Sequence, residues 1–282
     1  MNTLGFMSYV YNGWSADAMA DAGRRHGFSC VQVDPRQAFR LMDDDPLSPA
    51  RAEKIRRIFE DNGITVIALS GYTNLCHPNA EKREQKLKQF EKLIDLCQAY
   101  GTKYIATETG SLHPTNSWRD WEGNRTEEAW SGLLEAVDRL RNRAVKQGVV
   151  LLIEGFANNV LARPEQALRM MGTLGTEGLA FVMDPFNYLT QDDMRNQDNA
   201  MENIFRCIEK HCPVAHAKDA LYDEEGFTTP RVGEGTADWN IYASLLRSRL
   251  PDVPLILEHA KPEEVADCLT LIRKAFQHRS DG

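Results

Sequence analysis

The chain has no CxxC pair, no Gly-rich GxGxxG after its first expected strand, and no apolar run near the ~20 residues of a membrane span. The first absence leaves the cysteines unpaired in sequence. The second removes the commonest dinucleotide-binding version of an open α/β sheet, and the third removes a spanning helix. The N-terminal stretch MNTLGFMSYVYNGW lacks a basic segment and a sustained apolar core, so no signal peptide is expected. Positive charge is also scarce. Thirty-three Lys and Arg against 41 Asp and Glu leave a formal charge of −8, which disfavours a nucleic-acid partner. Linker-like and low-complexity segments are missing too, so one domain over residues 1–282 is expected. Several of the six cysteines fall on apolar helix or strand positions, as buried free thiols of a reducing compartment would. A cytoplasmic protein without membrane partners is the expectation.

What is present centres on LAFVMDPFNYL, residues 179–189. An unbroken apolar run reads as a strand buried on both faces, as in a parallel sheet covered by helices. Asp184 ends that run and Pro185 stops it. A lone carboxylate is too costly to bury unpaired, so Asp184 is expected to project into a polar site at the strand's C-terminal end. The same arrangement recurs in VVLLIEG (149–155, Glu154), PVAHAKD (213–219, His216) and PLILEHA (254–260, Glu258).

Taken in order, the chain alternates eight strands with eight helices. Strands are expected at 4–10, 28–34, 64–70 and 103–110, then in the four segments above. Helices are expected at 15–26, 48–61, 80–100, 126–147, 163–171, 198–210, 237–249 and 262–277, with Ser15 and Ser48-Pro49 as start signals. Such alternation means parallel strands with helical crossovers, and eight units make an α/β (β/α)8 TIM barrel. A doubly wound open sheet is the rival.

Active sites of such barrels lie at the C-terminal strand ends, and both long loops (110–125 and 220–236) fall on that side. Glu154, Asp184, His216 and Glu258 would converge there. Three carboxylates and one imidazole suit Mn²⁺, Mg²⁺ or Co²⁺ better than a thiolate-type zinc site, with Zn²⁺ still admissible. Each residue could instead be an ordinary polar strand end. Lys218 shares the face of His216 and could meet either a substrate oxygen or a nearby carboxylate. Glu108 is open between a substrate hydrogen bond and a structural pair. Trp118 and Trp121 could wall a sugar pocket or pack on the rim. Of the histidines, His77, His113 and His259 remain on the catalytic side, although strand alternation points His259 away from the interior. VGEGTADW (232–239) reads as a phosphate or hydroxyl cradle, or as a tight turn into a helix capped near Thr236 or Asp238.

At ALSGYTNLCHP, IEG, MDPFN, HAKD, VGEGTADW and ILE the chain resembles the xylose isomerase-like barrel superfamily, in particular its sugar phosphate isomerase/epimerase group. The resemblance covers roughly residues 64–260. It implies a metal site at Glu154, Asp184, His216 and Glu258, with Glu154 and Glu258 doubling as acid/base groups. Asn187 stands where some epimerases carry a substrate-binding histidine, and GFANNV (155–160) lacks the polar pattern of ketose 3-epimerases. The implied activity is metal-dependent isomerisation or epimerisation of a sugar or polyhydroxy ketone through an enediolate. The same enediolate could expel a β-hydroxyl, as in an inosose-type dehydratase. An abasic-site endonuclease would need more strand-end histidines than this sequence offers. The implied partner is a small sugar or polyol, and relatives of this kind are commonly homo-oligomers.

Overall fold

Helices begin where a side-chain oxygen can take up the free N–H groups of a first turn. Ser15 accepts from Ala18 N, Ser48 from Arg51 N, Asn79 from Lys82 N, Thr126 from Ala129 N, and Asp238 from Asn240 N and Ile241 N. These caps open α1 (Ala16–His26), α2 (Pro49–Asp61), α3 (Ala80–Leu96), α4 (Glu127–Lys146) and, after α5 (Pro164–Leu174) and α6 (Gln197–Ile208), α7 (Trp239–Arg249). The last helix is α8 (Val265–Gln277). Gly27 closes α1 at φ 80°, a left-handed conformation that a side chain would disfavour. Each helix turns one apolar stripe inward. On α4 the stripe is Trp130, Leu133, Val137, Leu140 and Ala144, and each large side chain so buried contributes about 1.5–3 kcal/mol.

The computed structural model describes residues 1–37, 47–224 and 226–278. Its strands, in chain order, are β1 (Leu4–Met7), β2 (Cys30–Val33), β3 (Thr65–Ser70), β4 (Tyr104–Glu108), β5 (Val150–Glu154), β6 (Leu179–Met183), β7 (Val214–Ala217), β8 (Leu221–Asp223), β9 (Gly226–Thr228) and β10 (Leu255–Leu257). Among the described residues, eight of these close into a parallel barrel in the order β1-β10-β7-β6-β5-β4-β3-β2, and β8 pairs antiparallel with β9. The expected TIM barrel is thus the observed one. All five residues of β6 are buried, as its unbroken apolar run requires. All six cysteines are free and buried. Among the described residues no helix is long and apolar enough to cross a membrane.

Two stretches differ from expectation. The first strand stops at Met7 rather than Val10, because Ser8–Tyr11 coils into a 3-10 turn. There Ser8 Oγ donates to Gln37 Oε1 and accepts from Asp34 N, tying the turn to the end of β2. The excursion after β7 is not irregular throughout, since it carries the β8–β9 hairpin. Tyr222 and Phe227 stack across that hairpin, and Phe227 leans on Phe156.

Candidate metal centre and active site

Glu154 is the last residue of β5, Asp184 follows β6, His216 lies in β7 and Glu258 follows β10. These four strands are consecutive in the barrel, so their ends stand side by side. One ligand atom from each residue lies within 4.8 Å of all the others, and all four are buried. Donors held ~2.0–2.5 Å from one divalent ion can be at most ~4–5 Å apart, so this spread suits a single ion.

The donor chemistry agrees. His216 Nε2 lies 3.1 Å from Gln32 Oε1, while Gln32 Nε2 donates to Ser70 Oγ at 3.1 Å. With the amide assigned that way, Nε2 carries a proton and Nδ1 is the nitrogen turned to the cluster, protonated among bare carboxylates and a ligand once a cation displaces that proton. Nδ1 stands 2.6 Å from Glu258 Oε1, 3.4 Å from Glu154 Oε2 and 3.5 Å from Asp184 Oδ2. It has no directed hydrogen bond, and neither oxygen of Asp184 has one. Orphaned buried nitrogen and carboxylate oxygens converging on one point are what a cation would satisfy.

Lys218 reaches the same carboxylates from the other side. Its Nζ is 2.7 Å from Asp184 Oδ2, 3.2 Å from Glu258 Oε2 and 3.6 Å from Glu154 Oε1. The short contact makes Lys218 the ion-pair partner of Asp184. Each glutamate therefore gives one oxygen to the imidazole side and the other to the ammonium side. Burial works against charge on Lys218 and His216. The three carboxylates override it and hold both groups well above their ordinary ranges. Burial opposes the charges of Asp184 and Glu258 as well. Lys218 and His216 reverse that, keeping Asp184 below and Glu258 well below the usual carboxylate range.

A cavity of about 370 Å³ opens above this group, with Glu154, Lys218 and Glu258 in its lining. Asp184 and His216 lie beneath them, both fully buried. Asn187 also lines the cavity and donates from Nδ2 to Glu154 Oε1 at 2.5 Å. Glu108 borders it with one oxygen, Oε2, sealed off and unpaired. Trp118 forms part of the wall; Trp121 does not, and packs edge-on against His113 instead.

The fold that carries this geometry has known counterparts. The family described as xylose isomerase-like TIM barrel matches residues 20–275. The chain belongs to that family. Among solved structures it is similar to 3-keto-D-glucoside 4-epimerase, YcjR, from E. coli, with a TM-score of 0.74 at 15% identity over 97% of this chain and 100% of that one. It is also similar to the probable 3-DHS dehydratase AsbF from Bacillus anthracis, with a TM-score of 0.73 at 14% identity over 99% and 100% of the two chains. A third, the IOLI protein with a bound zinc atom, gives a TM-score of 0.68 at 16% identity over 97% and 96%. Identities this low establish a shared fold alone. No curated protein matches the chain by sequence.

Several residues of this xylose isomerase-like barrel reach the cavity although their positions in the sequence did not mark them for it. Tyr72, in the loop after β3, donates its hydroxyl to Glu154 Oε2. Tyr9, Phe156 and Thr229 add to the walls. His259 lines the cavity too, contrary to simple strand alternation. Its φ of 57° is left-handed, which breaks the alternation and swings the ring back over the site. The ring is held by Thr229 O at Nδ1, and its Nε2 stands 3.5 Å from Glu258 Oε2. His77 and His113 are occupied elsewhere, each accepting loop N–H groups at Nδ1. The VGEGTADW segment is a turn into α7, capped by Asp238.

Proposed function

We propose that this barrel is a divalent-metal-dependent isomerase or epimerase that moves a proton beside the carbonyl of a sugar or related polyhydroxy ketone. The placement of Glu154 and Glu258 carries the reading. They come from the two ends of the β5-β6-β7-β10 arc, with Asp184 and His216 between them, and both face the cavity. A carbon seated over the arc is open to a carboxylate from either side. One structural neighbour is a 4-epimerase of a ketoglucoside, and another binds zinc; both facts support the reading.

Glu154, Asp184, His216 and Glu258 would hold the ion, which when bound supplies Lewis-acid polarisation of a carbonyl or hydroxyl oxygen. The chain's own groups do the rest. Glu154 or Glu258 removes the proton next to the carbonyl, leaving an enediolate. Tyr72 and Asn187, each donating to one oxygen of Glu154, fix that carboxylate in place. The ammonium of Lys218 sits where negative charge develops on substrate oxygen. Glu108, Asn187 and Trp118 bind the remaining hydroxyls and C–H face of the substrate. One glutamate working one face gives isomerisation; two working opposite faces give epimerisation.

The test is deuterium incorporation from D2O into ketoses and inososes by the metal-loaded protein. Incorporation should vanish in Glu154→Gln and Glu258→Gln while circular dichroism stays unchanged. Full exchange in a folded Glu154→Gln would remove that residue as a base. Loss of water with formation of an unsaturated ketone would move the assignment to a dehydratase.

A further inference from the structure

We infer that the cavity accepts an uncharged polyhydroxylated substrate and rejects phosphate esters and carboxylates, because among the described residues its lysine and the arginine beside it are held by the chain's own oxygens. The inference rests on the proposed function only in taking this cavity as the substrate site.

Proteins hold phosphate with Lys or Arg side chains, or with converging backbone N–H groups at loops and helix N-termini. The side-chain route is closed. Among the described residues of the lining, Lys218 is the only lysine or arginine; it can meet a single substrate oxygen, but Asp184, Glu258 and Glu154 around it leave no net positive charge for a phosphate dianion. The lining also carries the carboxylates of Asp34, Glu154 and Glu258, so negative charge prevails. Arg36 stands next to the lining but is forked onto Asp34, with Nε 2.9 Å from Oδ1 and Nη2 2.8 Å from Oδ2. Its Nη1 donates to Tyr72 O at 3.1 Å. All three nitrogens of the guanidinium group are thus engaged by the chain's own oxygens.

The loop after the seventh barrel strand offers no free backbone cradle either. In (β/α)8 barrels a phosphate site frequently forms in the loops after the seventh and eighth barrel strands. Here the loop after β7 wraps its N–H groups around Asp219, which is buried. Asp219 Oδ1 accepts from Ala220 N at 2.9 Å and Ala237 N at 3.1 Å, and Oδ2 accepts from Gly233 N at 3.0 Å. A Cβ added at Gly235 would stand 2.2 Å from Asp219 Oδ1, so the glycine is needed for the loop to close on the carboxylate. Asp238 takes the first N–H groups of α7 in the same way. A resident carboxylate thus fills the N–H cradle of this loop, which is not free to take a phosphate. The walls, with Tyr9, Trp118 and Phe156, present aromatic surface suited to the C–H faces of a neutral sugar or cyclitol.

The experiment is calorimetric titration of the Mn²⁺-loaded full chain with matched pairs, such as D-fructose with D-fructose 6-phosphate, an inosose with its phosphate ester, and D-glucose with D-glucuronate. The neutral member of each pair should bind at least about tenfold more tightly, since like charges brought together in a site oppose binding strongly. In Asp34→Asn, which releases Arg36, the ratio should shrink. Equal or tighter binding of the anionic member overturns the inference, and so does a panel in which no neutral compound binds. An unchanged ratio in folded Asp34→Asn overturns the part assigned to the Asp34–Arg36 pair. Neutral binding without deuterium exchange would sink the isomerase reading alone, whereas exchange on phosphate esters only would sink this inference and leave that reading intact.

Discussion

Gln32 and His216, 184 positions apart in the chain, meet inside the barrel at 3.1 Å between Oε1 and Nε2. This contact turns Nδ1 of the imidazole toward the three carboxylates. Partners that hold the far nitrogen of a ligating histidine typically matter by 10–100-fold in metal affinity. Gln32→Met, similar in volume but without the acceptor, should weaken Mn²⁺ binding by about that factor while the barrel stays folded. Competition against a fluorescent chelator measures it. Unchanged affinity would mean that the packing around His216, not Gln32, orients the ring.

Lys218 provides the compensating charge when no ion is present. Its side chain is 3% exposed and within reach of all three carboxylates. Removing one partner of a buried charge group costs about 3–5 kcal/mol, because the other charges are left uncompensated. Lys218→Met should therefore lower the unfolding temperature of the chelated protein markedly. Mn²⁺ should recover more stability in the variant than in the parent, since the ammonium no longer competes for the same oxygens. Saturation at a hundred times Kd stabilises by about 2.7 kcal/mol. Calorimetry with and without chelator checks both parts. A variant as stable as the parent without metal would show that the ammonium does not hold the carboxylates together.

The barrel and the four strand-end residues were legible in the sequence for a physical reason. Strands buried on both faces read as apolar runs, and a polar residue directly after such a run has few places to go but the rim. Gln32 was not legible. It lies inside a strand, Cys30–Val33, that is buried at all four positions, and composition does not tell which of them face the barrel interior. Tyr72 comes from an irregular loop, where no periodicity assigns a direction. The β8–β9 hairpin has three residues per strand, too few for an alternation to show. Asp219 reads as the end of a strand. Only the tertiary path of the glycine loop reveals that it fills a cradle.

Glu108 should give the metal-free protein a pH dependence of its own. Burial, and then the charge of Glu154, raise its carboxyl from 4.5 to about 8. The residue is only half-buried overall, but Oε2 is sealed off without a partner, which supports an upward direction. A carboxyl raised in the folded state keeps its proton there while the unfolded chain gives it up. Folding then carries no penalty from Glu108 below about pH 4.5, and an increasing one as pH rises toward 8. The denaturation midpoint of the parent, taken relative to Glu108→Gln, should fall across that window. A difference independent of pH would mean that Glu108 ionises as an ordinary surface carboxylate does.

His259 holds a left-handed backbone, φ 57°, that an L side chain adopts at a penalty of roughly 1–2 kcal/mol and glycine adopts freely. The strain buys a ring over the cavity, next to Glu258, that regular alternation would have sent outward. Two truncations separate backbone from side chain. Both His259→Ala and His259→Gly lose the ring and its bond to Thr229 O, so they differ chiefly in backbone freedom. The glycine variant should be the more stable of the two by about 1 kcal/mol in urea unfolding, after allowance for the looser unfolded chain. Both should lose affinity for a neutral polyol to a similar extent, since the lost contact is the same. Alanine and glycine of equal stability would show that position 259 bears no strain, and unaltered polyol binding would show that the strained ring serves the fold rather than the site.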